Sequence, residues 1–168
     1  IMSPLQMTTN GKTTVVQMVN SEELECMSKN IYFEAAMEST AGKLAVAQVT
    51  MNRVNSSQYP NTVCKVITQG RHYKNGFPVK DRCQFSWWCD GEKDMLWVTY
   101  KDGTIIEQNM TAWRDSIHVA LFVMNDEWSM DPTDGATFYY NPHIANPSWG
   151  GTYTETAMIG NHRFMICD

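Results

Sequence analysis

The sequence predicts an α+β fold, with a helical lobe followed by a small antiparallel β lobe. The earlier part of the chain contains segments in which apolar residues recur at spacings of three and four, which is the period of an amphipathic helix. The last segments instead alternate like short strands, and Gly160-Asn161 between two of them suits a tight hairpin. With 168 residues and no internal repeat, the chain has the length of one domain.

Residues 1–20 are predicted to be an N-terminal arm of unknown role. They are rich in Thr, Gln and Met without a clear period, which predicts an extended arm or a single strand over residues 13–18. Residues 21–168 are predicted to form the single domain.

The first helix is predicted to begin after Asn20, which can cap it, while Glu23 can complete a capping box. Ser39 or Thr40 is predicted to end it. Its apolar stripe consists of Leu24, Met27, Ile31 and Ala35.

A second helix is predicted over residues 41–54, and a short third helix runs through Gln69 with Asn61 or Thr62 as its cap. The predicted inward residues of the second helix are Leu44, Ala47, Met51 and Val54.

Residues 70–103 show little periodicity and are predicted to be a long irregular or partly β excursion of the kind that often carries function. A further helix is predicted over residues 111–124. Its predicted inward residues are Trp113, Ile117, Ala120, Leu121 and Met124. The alternation of Phe138 and Tyr140 then predicts the first strand of the β lobe.

Two glutamates, Glu34 and Glu38, lie on or beside the apolar stripe of the first helix. They could be solvated at the end of the helix, or one could cap the next helix. Alternatively, apolar neighbours such as Tyr32 and Phe33 raise the pKa of a carboxyl and make it a general acid. The two do not suit a retaining glycosidase pair, because they project from one side of one helix and cannot flank a bond. We therefore assign Glu38 a supporting, hydrogen-bonding role.

The run IYFEAAMESTAGKLAVAQVTMNRVNSSQYPNTVCKVITQ contains Glu34-Ala35, Glu38 and Gly42, followed by AVAQV, NRV, a Pro-Asn-Thr turn and a Cys-x-Val stretch. The blocks CQFSWWCDG, GATFYYNPHIANPSW and TAMIGNHRFM follow in order. Together they resemble the cell wall hydrolase family typified by the spore-cortex lytic enzyme SleB, over most of residues 30–165. One departure is Ala36-Met37, where the family usually carries Arg-Gly.

The resemblance implies a lysozyme/lytic-transglycosylase-like fold with a cleft between its two lobes, and a single catalytic cell wall hydrolase domain over residues 21–168. It also implies cleavage of peptidoglycan between N-acetylmuramic acid and N-acetylglucosamine, with Glu34 as the catalytic acid. A lytic transglycosylase needs only this acid. A hydrolytic muramidase would need a second carboxylate, for which Asp81 and Asp90 are candidates that equally suit turns. A non-catalytic peptidoglycan-binding or virion structural protein is a further alternative.

Other candidate site residues follow from the chemistry of sugar binding, which combines aromatic stacking with polar contacts. Gln48 and Asn52 lie one turn apart on the second helix, where either could orient Glu34 or be a buried amide satisfied by backbone. The candidate substrate-binding residues are Gln84, Phe85, Ser86, Trp87, Tyr139, Tyr140 and Trp149. For each aromatic residue the alternative is core packing.

The net charge of −5, with Lys and Arg scattered along the sequence, argues against nucleic acid and an anionic membrane as partners. No segment suits membrane insertion, and a carbohydrate ligand and a monomer are expected. No cofactor or metal is expected, because the four histidines show no metal-ligand spacing.

Five cysteines allow one or two disulfides, with Cys64 or Cys83 in a structural bridge. A thiol peptidase would need a cysteine and a histidine brought together by folding. Localisation is left open. The missing signal-peptide pattern, the odd cysteine count and the one-domain length suit a phage lysin or virion enzyme, as a hypothesis, and a secreted enzyme is the alternative.

Overall fold

The computed structural model describes the backbone of residues 5–9 and 11–16, and residues 19–125 and 129–167 in full. The predicted α+β fold is confirmed, with a helical lobe and small antiparallel sheets. The helices are α1 (Ser21–Ala35), α2 (Thr40–Asn55), α3 (Val63–Ile67) and α4 (Glu107–Val123). The strands are β1 (Leu5–Thr9), β2 (Lys12–Val16), β3 (Gly70–His72), β4 (Pro78–Cys83), β5 (Phe138–Tyr140), β6 (Thr154–Ile159) and β7 (His162–Ile166).

The N-terminal segment is an antiparallel hairpin in which β1 pairs with β2, from Leu5 opposite Val16 to Thr9 opposite Lys12. The strand predicted around residues 13–18 is confirmed by β2, although its end at Met18 lies outside the described residues, and its partner β1 was not predicted. Gly11 has a φ of +74°, a conformation that costs glycine little and lets the chain reverse. The Asn10-Gly11 dipeptide was the sequence signal for this turn.

Helix α1 begins as predicted, because the side chain of Asn20 accepts hydrogen bonds from the backbone N–H groups of Glu22 and Glu23. The capping box was wrong. The Glu23 carboxylate instead accepts from the backbone N–H of Val63 at 2.6 Å and of Cys64 at 3.3 Å, at the start of α3. Glu23 therefore caps another helix, whose first N–H groups have no partner within their own helix.

Helix α1 ends at Ala35, four residues before the predicted stop at Ser39. Glu34 is consequently in its last turn, whereas Glu38 lies in the connection to α2. Ser39 instead caps α2, since its side chain accepts from the backbone N–H of Gly42.

Helix α2 is packed on more than one face, so its predicted single stripe was wrong. It contacts α1, α3 and α4 and also β5 and β6. Of the predicted inward residues only Ala47 is fully buried, while Leu44, Met51 and Val54 are half-buried at the edge of the core. A helix enclosed by neighbours buries residues all round and loses a clean periodicity.

The helical core lies between α1, α2, α3 and α4, with Met27, Ile31 and Val66 among its fully buried residues. A second cluster joins α2 to the β lobe through Ala45, Val49, Ala136 and Phe164.

Helix α4 starts four residues before its predicted N-terminus, and its buried face is rotated from the predicted one. Val119, Ala120 and Val123 are buried, whereas Leu121 is 40% exposed. The prediction for Ala120 is confirmed and that for Leu121 was wrong, because α1 and α2 contact the face that carries Val119 and Val123.

Two further sheets and two disulfides complete the fold. Strands β5, β7 and β6 form one antiparallel sheet in that order, with the predicted turn at Gly160. Strands β3 and β4 form a hairpin within the partly β excursion. Cys26 bridges to Cys64 and Cys83 to Cys89, so both cysteines expected in a bridge are bridged. Among the described helices, none combines the length and apolar character that a membrane span requires.

Candidate active site

A cavity of about 480 Å³ lies where the C-terminal ends of α1 and α2 meet strands β4 and β5. Glu34 comes from the last turn of α1 and Arg53 from the last turn of α2. The complete lining is Glu34, Arg53, Cys83, Gln84, Phe85, Ser86, Phe138, Tyr139 and Trp149. The helical lobe thus supplies the charged groups and the β segments supply the aromatic and amide walls.

Glu34 is half-buried at the cavity and is held by one hydrogen bond. The hydroxyl of Tyr139 donates to Glu34 Oε2 at 2.8 Å, and Oε1 receives no hydrogen bond from any described residue. Burial raises the pKa of the Glu34 carboxyl, and the Tyr139 hydrogen bond and the Arg53 charge oppose that rise only in part. The carboxyl therefore keeps a proton to higher pH than an ordinary glutamate, and its Oε1 is left without a hydrogen bond from the described residues.

Tyr139 is fixed as a hydrogen-bond donor. Burial and the neighbouring Glu34 carboxyl raise its pKa well above the ordinary value, so the hydroxyl keeps its proton. Its ring lies edge-on to that of His162, with centroids 5.3 Å apart, and opposite Phe164 in the β5–β7 pair. The sheet therefore positions the hydroxyl that orients Glu34.

Arg53 is the second charged residue of the cavity and is only 4% exposed. Its Nε donates to the backbone carbonyl of Thr137 at 2.7 Å. Its guanidinium lies 5.3 to 5.4 Å from the ring centroids of Tyr59, Phe85 and Phe138. Burial lowers the pKa of Arg53, but the guanidinium remains a cation, because arginine is not deprotonated in proteins.

The guanidinium of Arg53 is thus held by rings rather than by a carboxylate. Its Nη1 is buried and has no hydrogen-bond partner among the described residues. A cation stacked on aromatic faces keeps its charge without being neutralised by an ion pair. This charge is available to stabilise Glu34 once that carboxyl has lost its proton.

Five of the seven predicted substrate-binding residues line the cavity: Gln84, Phe85, Ser86, Tyr139 and Trp149. Gln84 and Ser86 are exposed and present polar atoms, while Trp149 packs on Phe138 with ring centroids 5.4 Å apart. The remaining two are not part of the lining.

Trp87 and Tyr140 lie outside this lining. Trp87 is 9% exposed, stacks on Phe33 with centroids 4.8 Å apart and donates from Nε1 to Asn30 Oδ1 at 2.9 Å. These contacts are those of a core residue. Tyr140 lies on β5 with its ring edge-on to Trp149, at 5.5 Å.

Glu38 contacts the turn between β6 and β7 rather than the cavity. Its Oε1 accepts from Asn161 Nδ2 at 3.1 Å and lies 3.8 Å from His162 Nδ1. A Cβ at Gly160 would lie 2.6 Å from Glu38 Oε2, and the φ of Gly160 is +58°. Glu38 therefore ties the end of α1 to the hairpin of the β lobe.

Gln48 and Asn52 support a loop rather than contacting Glu34 in the hydrogen bonds that the structure shows. Asn52 Nδ2 donates to Asp131 Oδ2 and to the backbone carbonyl of Ala136, each at 2.9 Å. Gln48 Nε2 donates to Asn52 Oδ1 at 3.0 Å. These amides fix the loop that leads directly into β5 and Tyr139.

Sequence reasoning missed Arg53 and assigned Phe138 only to the sheet. The predicted inward stripe of α2 did not include Arg53, whereas the structure places it on a buried face, four residues after Val49. An arginine on such a face is desolvated and needs a compensating environment. The sequence did not show that rings would provide it.

Of the two candidates for a second carboxylate, Asp90 lies in a bend, whereas Asp81 lies within strand β4 and not in a turn. Asp90 Oδ1 accepts from the backbone N–H of Glu92 at 2.8 Å, and Asp81 is exposed with a φ of +56°. Neither lines the cavity, where Glu34 is the one carboxylate contributed by the described residues. Within the same part of the chain, no three His, Cys, Asp or Glu side chains are grouped to hold a metal ion.

Comparisons with known proteins agree with this architecture. The family model described as cell wall hydrolase matches residues 37–165. The chain is 30% identical over 156 residues to a spore cortex-lytic enzyme of Bacillus cereus, covering 92% of this chain and 48% of that protein. It is 25% identical over 145 residues to a spore cortex-lytic enzyme of Bacillus subtilis, covering 86% of this chain and 38% of that protein. The chain spans about half the length of the Bacillus cereus relative and less than half the length of the Bacillus subtilis relative.

Two solved structures are also similar. One is the catalytic domain of the germination-specific lytic transglycosylase SleB from Bacillus anthracis, with a TM-score of 0.58, 28% identity and coverage of 95% of this chain and 100% of that chain. The other is the catalytic domain of the Bacillus cereus SleB protein, with a TM-score of 0.57, 29% identity and coverage of 94% and 100%.

Proposed function

We propose that this chain, which belongs to the cell wall hydrolase family, cleaves peptidoglycan glycan strands between N-acetylmuramic acid and N-acetylglucosamine as a lytic transglycosylase. The observation that carries the proposal is Glu34, a half-buried carboxyl of raised pKa in the cavity, oriented through Oε2 and open at Oε1. The family model begins three residues after Glu34, so its role rests on this geometry and on the similar catalytic domains.

The first step is protonation of the glycosidic oxygen by Glu34 from Oε1. The bond from the muramic acid anomeric carbon to that oxygen breaks, and positive charge develops on the sugar ring. Glu34 is then a carboxylate, stabilised by the Tyr139 hydroxyl and by the Arg53 guanidinium.

The second step needs no external water. The C6 hydroxyl of the muramic acid attacks its own anomeric carbon, and Glu34 takes the hydroxyl proton. The products are a 1,6-anhydro sugar end and a free N-acetylglucosamine hydroxyl, and Glu34 has regained its starting proton. One carboxyl thus serves as acid and then as base.

The arrangement of carboxylates favours a transglycosylase over a hydrolytic muramidase. A hydrolase of the common two-carboxylate type places its second carboxylate across the cleft. Among the described residues, Glu34 alone supplies a carboxylate to the cavity. The solved relative from Bacillus anthracis is itself described as a lytic transglycosylase.

The walls of the cavity suit a sugar chain, with roles that we assign as part of the proposal. Trp149 offers aromatic surface to sugar faces, and Gln84 and Ser86 offer hydrogen bonds to their hydroxyl and acetamido groups, whereas Phe85 is only 3% exposed and supports Arg53 from the core. Glu38, Gln48 and Asn52 are proposed to support the site without contacting the substrate, because they hold the β6–β7 turn and the loop before β5. Residues 21–168 are the proposed catalytic domain, and the phage-lysin setting stays a prediction.

The test is digestion of purified sacculi by the wild-type chain and by Glu34→Gln. Turbidity of the suspension should fall with the wild type and stay constant with the variant. Glu25→Gln is the matched control, since Glu25 is an exposed glutamate on the same helix, paired with Lys29. Equal digestion by Glu34→Gln would overturn the assignment, and binding without digestion by the wild type would favour a non-catalytic binding protein.

Mass spectrometry of the products decides between the two enzyme chemistries. A transglycosylase yields anhydro ends that are one water lighter than reducing ends. Reducing muramic acid ends throughout would instead show a hydrolytic muramidase.

A further inference from the structure

We propose that the β3–β4 hairpin, residues 70–83, binds the carboxylates of the peptide stems that branch from the glycan strand. This hairpin is called the basic ribbon below. The inference rests on the proposed function, because it concerns the same polymer, but it assigns a second contact surface outside the cavity.

The basic ribbon is strongly positive in an acidic chain. It contains Arg71, Lys74, Lys80 and Arg82, four of the 13 Lys and Arg, against one of the 18 Asp and Glu, Asp81. Its formal charge is therefore +3 and that of the rest of the chain −8, which together give the net −5. These four cations fall within residues 71–82, so the prediction that basic residues are scattered along the sequence was wrong for this segment.

The four cations are free to bind a partner. All of them are exposed, and within the described part of the chain none forms a salt bridge. The neighbouring strands of a sheet lie roughly 5 Å apart, so the hairpin concentrates these charges within a small surface. Lysine and arginine bind carboxylates through charge-assisted hydrogen bonds, and arginine does so with two parallel bonds.

The base of the basic ribbon is also the edge of the cavity. Cys83, the last residue of β4, lines the cavity and pairs with Gly70 across the hairpin. The Cys83–Cys89 disulfide and a hydrogen bond from the Asp81 N–H to the Cys89 carbonyl, at 2.9 Å, fix this base. A Cβ at Gly70 would lie 2.8 Å from the Arg82 carbonyl, so the close approach requires glycine.

The position of the basic ribbon at the edge of the cavity indicates which partner it binds. Each muramic acid carries, on its lactyl group, a short peptide with free carboxylates, so a glycan strand in the cavity brings such peptides to its rim. A β4 strand of six residues extends roughly 20 Å from that rim. An anionic membrane or a nucleic acid would match the charge of the ribbon, but neither accounts for its attachment to the cavity.

Binding is measured by co-sedimentation with insoluble sacculi, in a Glu34→Gln background that keeps the polymer intact. The ribbon variant combines Arg71→Gln, Lys74→Gln, Lys80→Gln and Arg82→Gln. The matched control changes the same number of exposed cations elsewhere, at Lys65, Lys93, Lys101 and Arg114, each to Gln. Circular dichroism melts check that both variants fold.

We expect the ribbon variant to bind about tenfold more weakly than the control at low salt, as expected for the loss of several exposed ion pairs. Added salt should weaken the parent and the control toward the ribbon variant, because exposed charge pairs are screened. An amidase can remove the peptide stems from sacculi. To such sacculi, the parent, which is Glu34→Gln with an unchanged ribbon, should bind no more tightly than the ribbon variant does.

Three outcomes overturn the inference. The ribbon variant could bind like the control, or amidase-treated sacculi could bind the parent as well as intact ones do. The third is ribbon-dependent binding to phosphatidylglycerol vesicles or to DNA without any to sacculi. Failure of the proposed function would look different, since Glu34→Gln would then digest sacculi as the wild type does.

Discussion

Removing the hydroxyl of Tyr139 tests how the protein controls the proton of Glu34. In Tyr139→Phe the 2.8 Å hydrogen bond to Glu34 Oε2 is lost, while the ring and its packing on His162 remain. That hydrogen bond lowers the pKa of Glu34, so its loss raises the pKa further. The pH at which Glu34 loses its proton therefore increases.

The size of the shift follows from the difference between two hydrogen bonds. A bond to an ionised carboxylate contributes about 1.5 to 3 kcal/mol, and one to a neutral carboxyl about 0.5 to 1.5 kcal/mol. The difference is about 1 to 1.5 kcal/mol, and one pKa unit corresponds to about 1.4 kcal/mol. We expect the pKa of Glu34 to rise by about one unit.

The assay is the initial rate of turbidity loss of sacculi, measured from acidic to alkaline pH. The acid catalyst must be protonated, so the rate falls as pH rises through the pKa of Glu34, and this alkaline limb should move up by about one unit in Tyr139→Phe. The maximal rate should fall about tenfold, because the carboxyl is no longer oriented. Tyr140→Phe is the control, since Tyr140 is the neighbouring tyrosine and lies outside the cavity lining.

An alkaline limb that stays in place, or that moves to lower pH, would refute the reasoning. So would an equal shift in Tyr140→Phe, because that residue has no hydrogen bond with Glu34 in the structure.

Four further predictions concern stability and the electrostatics of the cavity. Because the folded-state pKa of Glu34 is raised, its ionisation destabilises the fold, so Glu34→Gln should be more stable than the wild type above that pKa, with the advantage vanishing below about pH 4. Thermal melts across pH measure this difference. Arg53→Gln should lower the free energy of unfolding by about 3 kcal/mol in chemical denaturation and move the alkaline limb of the pH–rate profile to higher pH. Arg53→Lys should also lose stability but keep this limb nearly in place, because lysine retains the charge without the ring stacking. Replacing Cys26 and Cys64 with Ser opens a bridge with a sequence separation of 38 and should cost about 4 kcal/mol on the chain-entropy estimate, and a loss below about 1 kcal/mol would contradict it. Glu23→Ala should cost about 1 to 2 kcal/mol in denaturation, because it removes the cap of α3, and an unchanged unfolding midpoint would show that the cap contributes nothing.

Local features of the fold could be predicted because their causes lie within a few residues. The Asn20 cap and the apolar residues that follow it placed the start of α1, and Gly160-Asn161 placed the β6–β7 turn. The same local logic failed where a neighbour in space offered a better partner. Glu23 caps α3 instead of its own helix, and the predicted stripe of α2 did not describe a helix that is covered on several faces.

The candidate site was predictable in part for the same reason. Glu34 could be singled out from the motif around it, and five of seven proposed binding residues do line the cavity. Trp87 could not be distinguished from a binding residue, because its type and neighbours suit a core or a sugar equally well. Only its hydrogen bond to Asn30 and its stacking on Phe33 show where it lies.

The sequence by itself determined the class of fold and the order of the four helices, because periodicity and caps are read between near neighbours, and its family resemblance proposed Glu34 as the proton donor. Tertiary structure alone decided how that glutamate is tuned. Tyr139 is 105 residues away along the chain, and the charge of Arg53 is held by rings from Tyr59, Phe85 and Phe138, three separate segments. A pKa depends on burial and on charges within a few ångströms, and those distances exist only once the two lobes have packed together.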